Sequence, residues 1–219
     1  MTDLIDLVIR FLSQPDQILS KLIERYDNWI YAILFCLVFA ETGLIVMSFI
    51  MPFLPGDALI FAIGMIAARG ELNIVIIIPL LIFAALLGDN VNYYVGKKFG
   101  NYILTSEKTF LIQKSHILRA QEFFDKNGKN SIIIARFIPV VRTIVPFLSG
   151  ATKVPYQTFL KFSFIGAILW VALISLLGYF LGQIEFVKEH LEKFIVLIII
   201  LANIPLLKQI FFRKKKKNE

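Results

Sequence analysis

Apolar runs set the layout of this chain. Trp29 to Leu54 is apolar except for Glu41, Thr42 and Ser48, and it ends in the break Met51-Pro52-Phe53-Leu54-Pro55-Gly56-Asp57. Ala58 to Ala68 is apolar again but short, since a helix needs about 20 residues to cross a bilayer core. Ile74 to Val95 is long enough, and its far end turns polar at Gly88-Asp89-Asn90 and Asn92-Tyr93-Tyr94. Residues 96–130 form a polar loop, expected to be helical in part around Arg119 to Lys126. Ile132 to Ser149 is apolar but holds Arg136, Pro139, Arg142 and Pro146. Phe162 to Leu181 is a clean span, and Phe194 to Phe212 is another with Pro205 inside it. Residues 1–28 differ. There Leu4, Leu7, Val8, Phe11 and Leu12, then Ile18, Leu19, Leu22, Ile23 and Tyr26, recur at three- and four-residue steps between charges. That spacing predicts two short amphipathic helices, split near Pro15, lying in a membrane interface.

Charge decides how these runs can cross. Lys97, Lys98, Lys108, Lys114, Arg119, Lys126 and Lys129 outnumber Glu107, Glu122 and Asp125 in 96–130, and Arg213 to Lys217 form a basic tail. Both belong on the cytoplasmic side by the positive-inside rule. The connector Gly182–Lys193 sets Glu185, Glu189 and Glu192 against Lys188 and Lys193 and can sit outside. Spans 162–181 and 194–212 then go out and back, so residues 131–157 must leave and return on the inside as a re-entrant hairpin. A full span there would put the lysine tail outside. The same logic places Arg69–Asn73 outside. If 30–68 is also a hairpin, residues 1–28 lie outside, and their three bases and five acids do not object. Residues 30–51 as a plain span remain an alternative. The expected fold is an all-α polytopic membrane protein. It is an inverted repeat of re-entrant hairpin plus transmembrane helix, with an extra C-terminal transmembrane helix. The expected parts are an interfacial segment 1–28, a membrane domain 29–212 and a basic cytoplasmic tail 213–219.

Composition supports this reading. Of 219 residues 58% are hydrophobic and 18% charged, against about half and a quarter in a soluble domain. That excludes an ordinary soluble domain and a disordered chain. A single cysteine, Cys36, permits no intrachain disulfide, and His116 and His190 are too few and too far apart for a metal centre or a Ser-His-Asp triad. No metal, cofactor or enzymatic activity is expected. Asp3 and Asp6 stand where a secretory signal would be basic, so no cleaved leader is expected. The net charge of +7 raises nucleic acid as a partner, but its placement beside apolar runs fits membrane topology instead. The tail can also lean on anionic headgroups.

Charges inside apolar runs carry the candidate chemistry. Glu41 reads as a proton-titrating or ion-pairing site, because a carboxylate at bilayer depth costs at least about 2 kcal/mol on insertion scales. Its bland reading is a capping acid beside Thr42-Gly43. Asp57, after Pro55-Gly56, is at least as well read as a helix N-cap. Arg136 and Arg142 are sharper, because arginine keeps its charge and needs acids, carbonyls or an anion around it. Pro139 breaks the helix between them and lets both face one pocket. Their forks match phosphate. The competing reading is internal pairing with Glu41 and Asp57, two acids for two arginines, and the two readings are compatible if the pairs exchange during transport. Asp89, Asn92 and Tyr93 read as a pathway feature or, preferably, an interfacial anchor. Gly88, Gly96 and Gly100 permit close helix approach. Gly150 after Ser149 closes the second hairpin, near Pro146, and Trp170 packs or anchors.

These residues resemble a known family. Glu41-Thr42-Gly43 leading to Phe53-Leu54-Pro55-Gly56-Asp57 is one block, and Gly88-Asp89 with Asn92-Tyr93-Tyr94 and Gly96 is another. Arg136-Phe137-Ile138-Pro139-Val140-Val141-Arg142, then Pro146 and Ser149-Gly150, is the third, and Phe162 through Gly166 to Trp170, then Gly178-Tyr179, completes the set. The chain resembles the bacterial DedA family, related to VTT-domain lipid scramblases of eukaryotes, over roughly residues 27–212. The resemblance implies opposed re-entrant hairpins in an inverted repeat, a multi-pass place in the bacterial cytoplasmic membrane and a cytoplasmic C-terminus. It implies movement of lipids, including undecaprenyl phosphate, with proton coupling and envelope maintenance as further family proposals. By motif it puts the family's essential acids on Glu41 and Asp57 and its essential arginines on Arg136 and Arg142.

Three functions compete. A translocase for a phosphate-bearing lipid would use Arg136 and Arg142 on the phosphate, with Glu41 and Asp57 pairing with them when empty and taking up protons to reset. A proton-dependent exporter of small ions or drugs would rest on the acids, with structural arginines. A non-catalytic membrane organiser would need the charges only for assembly. The expected partners are membrane lipids, above all a lipid phosphate, together with protons.

Overall fold

The structure, a computed structural model, describes residues 29–43, 56–105, 122, 124–138 and 141–189. The expected interfacial helices of 1–28, the span 194–212 and the tail 213–219 lie outside the described residues, as do Pro55 and Pro139. Among the described residues every regular element is helical. The elements are α1 (Trp29–Gly43), α2 (Gly56–Ala68), α3 (Ile74–Thr105), a 3-10 turn (Gly128–Asn130), α4 (Ser131–Ile134), a second 3-10 turn (Ala135–Phe137), α5 (Val141–Ala151), α6 (Tyr156–Gly182) and α7 (Glu185–Glu189).

Among the described residues, helices α3 and α6 are the two that are long and apolar enough to cross a membrane. Their surfaces show which solvent they suit. On α6 a stripe at Phe159, Ser163, Ala167, Trp170, Val171 and Ser175 is buried, following the helical period. The opposite face presents Phe164, Leu169, Leu173, Leu177 and Phe180 outward. A helix in water would put polar groups there, so an apolar outer face is what lipid selects. Helix α3 does the same, with Ile77, Leu81, Ala85 and Asn92 inside and Val75, Ile76, Phe83 and Val91 outside. It also runs on through Lys97 and Lys98 to Thr105, further than the expected end near Val95. No proline stands in 96–105, so the helix continues past Gly96 and Gly100 into the segment expected to be loop.

The segment holding both arginines is broken, as its prolines predict. Helix α4 tightens into a 3-10 turn, and Ile138 is extended at φ −115, ψ 109 before α5 starts at Val141. An extended residue before proline is the preferred geometry, since Pro Cδ excludes the α region there. Pro146 sits inside α5, where it cannot donate to the carbonyl of Arg142 four residues earlier.

The described residues divide into two compact units. One holds α1 from Tyr31, α3 from Val75, the segment from α4 to α5, and α6 as far as Leu173. The other holds α2 with the turn that follows it, the rest of α6 from Ile174, and α7.

Each unit contains a glycine seam. In the first, a Cβ on Gly96 would run into the Phe147 carbonyl, and one on Gly150 into the Tyr93 carbonyl, so α5 lies on α3 at backbone contact. In the second, Gly64 faces the Ser175 carbonyl and Gly178 the Phe61 carbonyl, which puts α2 equally close to the end of α6. Small residues of this kind hold helices in lipid, where water no longer drives apolar faces together.

The turns after the two short helices also correspond. After α5, Lys153 N–H donates to Gly150 O at 3.1 Å and Val154 N–H to Ser149 O at 2.9 Å, with Lys153 in the left-handed region at φ 57. This is a helix-ending cap whose left-handed position favours glycine. Val154 then packs against Tyr93 and Phe159, and the Tyr93 hydroxyl donates to the Val154 carbonyl at 2.6 Å. After α2 the left-handed residue is Gly70, at φ 82.

Candidate functional site

The unit built on α3 and α5 gathers four of the charged residues singled out in sequence around two ion pairs. Asp89 projects from α3 into the interior and is 4% exposed, and Arg136 in the turn after α4 is 5% exposed. Arg136 Nη2 donates to Asp89 Oδ2. Ser163 of α6 closes a triangle: its Oγ donates to Asp89 Oδ2 and accepts from Arg136 Nη2 at 3.1 Å. Arg136 Nε is buried and has no hydrogen-bond partner among the described residues. The guanidinium stem lies against Gly166, where a Cβ would stand 3.0 Å from Arg136 Cδ and 3.1 Å from Nε.

The second pair lies at the start of α5. Arg142 Nη2 donates to Glu41 Oε1 at the end of α1. The Arg142 guanidinium also lies over the Trp170 ring, 5.1 Å from its centroid, within cation–π range. Trp170 is 1% exposed. Arg142 is a cation in the first turn of a helix, the end where the backbone dipole is positive. It stands there against that dipole, and Glu41 and the indole offset the cost.

The crossing of α1 and α3 places Glu41. Gly88 meets Thr42 and Gly43 so closely that a Cβ on Gly43 would come 2.8 Å from Gly88 Cα. Thr42 Oγ1 returns its hydrogen to the Val38 carbonyl at 2.8 Å, and Asn92 Nδ2 donates to the Thr42 carbonyl at 2.6 Å. Asn92 thus ties α3 to the helix end that carries Glu41. Asn92 Oδ1 is buried without a partner among the described residues.

Several expectations are corrected by this geometry. The acid paired with Arg136 is Asp89, which the expectation of Glu41 and Asp57 as the two pairing acids left out. Asp57 belongs to the other unit, half-buried in the first turn of α2, where a carboxylate suits the helix dipole. Asp89 is no interfacial anchor, because it is buried and ion-paired. Tyr93 does fit the structural side of its expectation, stacking on Phe159 at 4.5 Å and fastening the Val154 carbonyl. Gly56 is buried at the start of α2 and Pro146 lies inside α5, whereas Pro55 and Pro139 lie outside the described residues.

Sequence reasoning missed Ser163 and underrated Trp170. A signal exists in the spacing, because Ser163, Gly166 and Trp170 recur at steps of three and four in a helix otherwise rich in Phe, Leu and Ile. A small polar, an absent and an indole side chain on one face of such a helix are a departure from uniform lipid packing.

Comparison with known proteins now bears on this arrangement. Residues 54–180 match the model of the VTT domain. The chain is 40% identical over 205 residues to the protein DedA of Escherichia coli strain K12, covering 93% of this chain and 92% of that one. It is 34% identical over 171 residues to an uncharacterized membrane protein of Mycobacterium leprae, covering 78% and 75%. It is 32% identical over 172 residues to the inner membrane protein YghB of Escherichia coli strain K12, covering 78% and 77%. No solved structure matches the chain.

Proposed function

The chain belongs to the DedA family of VTT-domain membrane proteins, and from that premise we propose that it moves a phosphate-bearing lipid across the bacterial cytoplasmic membrane. One observation supports this above the others. Two arginines sit in an apolar setting, each ion-paired to a carboxylate that a phosphate can replace. Guanidinium forks take phosphate oxygens bidentately, and neither fork can shed its charge when the carboxylate leaves. The headgroup phosphate exchanges for Asp89 on Arg136 and for Glu41 on Arg142, while the acyl or prenyl chain stays in lipid. Protons taken up by the freed carboxylates are the coupling ion of this scheme, and Asp57 in the other unit is a further proton site.

The membrane path of this reading is two opposed hairpins. Helix α2 has 13 residues and α5 has 11, each short of the roughly 20 that a crossing needs. Each follows a proline-containing break and precedes a long apolar helix, the order expected of a re-entrant hairpin and its span in an inverted repeat. The C-terminal end is cytoplasmic by its lysines.

Reconstitution tests the proposal. Purified protein in liposomes carrying labelled undecaprenyl phosphate, or labelled phosphatidylethanolamine, should move one label across the bilayer. Arg136→Ala should abolish movement, and Arg136→Lys should reduce it strongly because a point charge does not replace a fork. Dependence of the rate on a pH gradient would establish proton coupling. No movement of either lipid by folded protein would sink the reading in favour of a small-ion exporter with structural arginines.

A further inference from the structure

Both arginines touch a second, uncharged partner, and both partners stand on one face of α6. Ser163 holds Arg136 Nη2 at 3.1 Å, Gly166 makes room for the Arg136 stem, and Trp170 lies under the Arg142 guanidinium at 5.1 Å. The steps of three and four residues put all three on a single stripe. The stripe is buried: Ser163 is 0% exposed and Trp170 1%. We infer that this Ser163–Gly166–Trp170 stripe is a positioning rack, holding each guanidinium in place while its carboxylate is exchanged for an anionic headgroup.

The physical need is specific. A buried arginine whose carboxylate has gone is a bare charge on a long, flexible side chain. It will follow the departing partner or swing toward another acid unless something neutral restrains it. A hydroxyl can do this for Arg136, because it accepts from the guanidinium whether or not Asp89 is present. An indole face can do it for Arg142, because its quadrupole attracts the cation without competing as an anion. Neither partner carries a charge that would repel the incoming phosphate. Gly166 acts by omission, since a methyl there would push the Arg136 stem off the line that reaches Ser163. These are positioning residues, acting through the arginines. The inference rests on the proposed lipid-phosphate reading for its purpose, but the holding itself can be read without any lipid.

The chain has two tryptophans, so Trp29→Phe leaves Trp170 as the sole indole. Ultraviolet resonance Raman of the indole ring modes in the full-length protein reports a cation over its face. In that background Arg142→Met should shift the ring modes. Glu41→Gln, which neutralises the carboxylate, should leave them where they are, because the guanidinium stays on the indole. A shift on Glu41→Gln equal to that of Arg142→Met, or no shift on Arg142→Met, overturns the rack.

A second measurement reads the same idea in transport. At matched thermal midpoints Trp170→Phe should keep most of the initial rate, whereas Trp170→Leu should raise the half-saturating concentration of the moved lipid about tenfold. Likewise Ser163→Thr should keep the rate and Ser163→Ala should not. Equal loss in the conservative and disruptive variants would mean packing alone and overturn the inference. If the unaltered protein moves no lipid, the proposed function falls while the Raman comparison still decides whether the indole holds Arg142.

Discussion

Helix α2 begins Gly56-Asp57 and helix α5 begins Val141-Arg142, so the second residue of each is charged, with opposite sign. The rest of the two elements corresponds closely. Each short helix lies on a long one at backbone contact through glycines, Gly64 and Gly178 in one unit and Gly96 and Gly150 in the other. Each ends in a turn with a left-handed residue, Gly70 or Lys153, and hands over to a long apolar helix. Against that shared plan the charge difference is informative. Asp57 is where a helix favours an anion. Arg142 is where a helix disfavours a cation, and Glu41 and Trp170 have to hold it. The unit with the disfavoured charge also holds Arg136, Asp89 and Ser163. Two units of similar local plan thus differ in charge, and the costly pairs are concentrated in one of them.

The largest expected effect comes from unpairing a buried charge in the unit with the costly pairs. Arg136→Leu should lower stability by about 3–5 kcal/mol, because it leaves Asp89 buried without its cation. The double variant Arg136→Leu/Asp89→Leu should recover most of that loss in thermal unfolding in detergent, yet stay inactive in lipid movement. A double variant no more stable than the single one would contradict the pairing.

Charge removal at the two helix starts should differ next. Asp57→Asn removes at least the dipole interaction at the start of α2, worth about 0.3–1 kcal/mol. Glu41→Gln takes a carboxylate from Arg142 and should cost more, because the partner left behind is a part-buried cation in the first turn of a helix. Thermal unfolding of both variants side by side checks the order. Equal losses would show that the two starts are energetically alike and would remove the distinction drawn here.

The seams, by contrast, should respond equally. Gly150→Ala and Gly178→Ala each place a methyl against a backbone carbonyl, an overpacking worth about 1–3 kcal/mol. A large difference between them in unfolding midpoint would mean that only one seam carries the fold.

The smallest effect concerns the turns. Lys153→Gly relieves a left-handed residue and should raise stability by up to about 1 kcal/mol, while Gly70→Lys should lower it by a similar amount. If Lys153→Gly destabilises, the lysine side chain contributes something beyond the backbone turn.

Much of the fold was legible because lipid imposes a simple rule on sequence. Spans 74–95 and 162–181 stand out by length and hydropathy, and both are long apolar helices. The break between Arg136 and Arg142 was legible because proline has a local steric meaning. The pairing was only half legible. Glu41 was a candidate for Arg142 because it is a lone acid in an apolar run. In sequence Asp89 reads as an anchor because its neighbours Asn92, Tyr93 and Tyr94 are residues that interfaces favour. What sequence lacked was the rotation of α3, which turns Asp89 inward and Tyr94 outward. Ser163 and Trp170 were hidden for the same reason: a serine and a tryptophan in a span are common, and only the face they share gives them a role.

Two guanidinium groups against two carboxylates leave the paired site with no formal charge. That has an electrical consequence. A membrane potential exerts no net force on the two pairs while both are closed. In the proposed lipid movement the field acts on the headgroup and its protons, at about 2.3 kcal/mol for each unit charge moved through 100 mV. A bilayer held under voltage clamp should show current set by the sum of the headgroup charge and the protons moved with it, and that current should vanish when the headgroup is withdrawn.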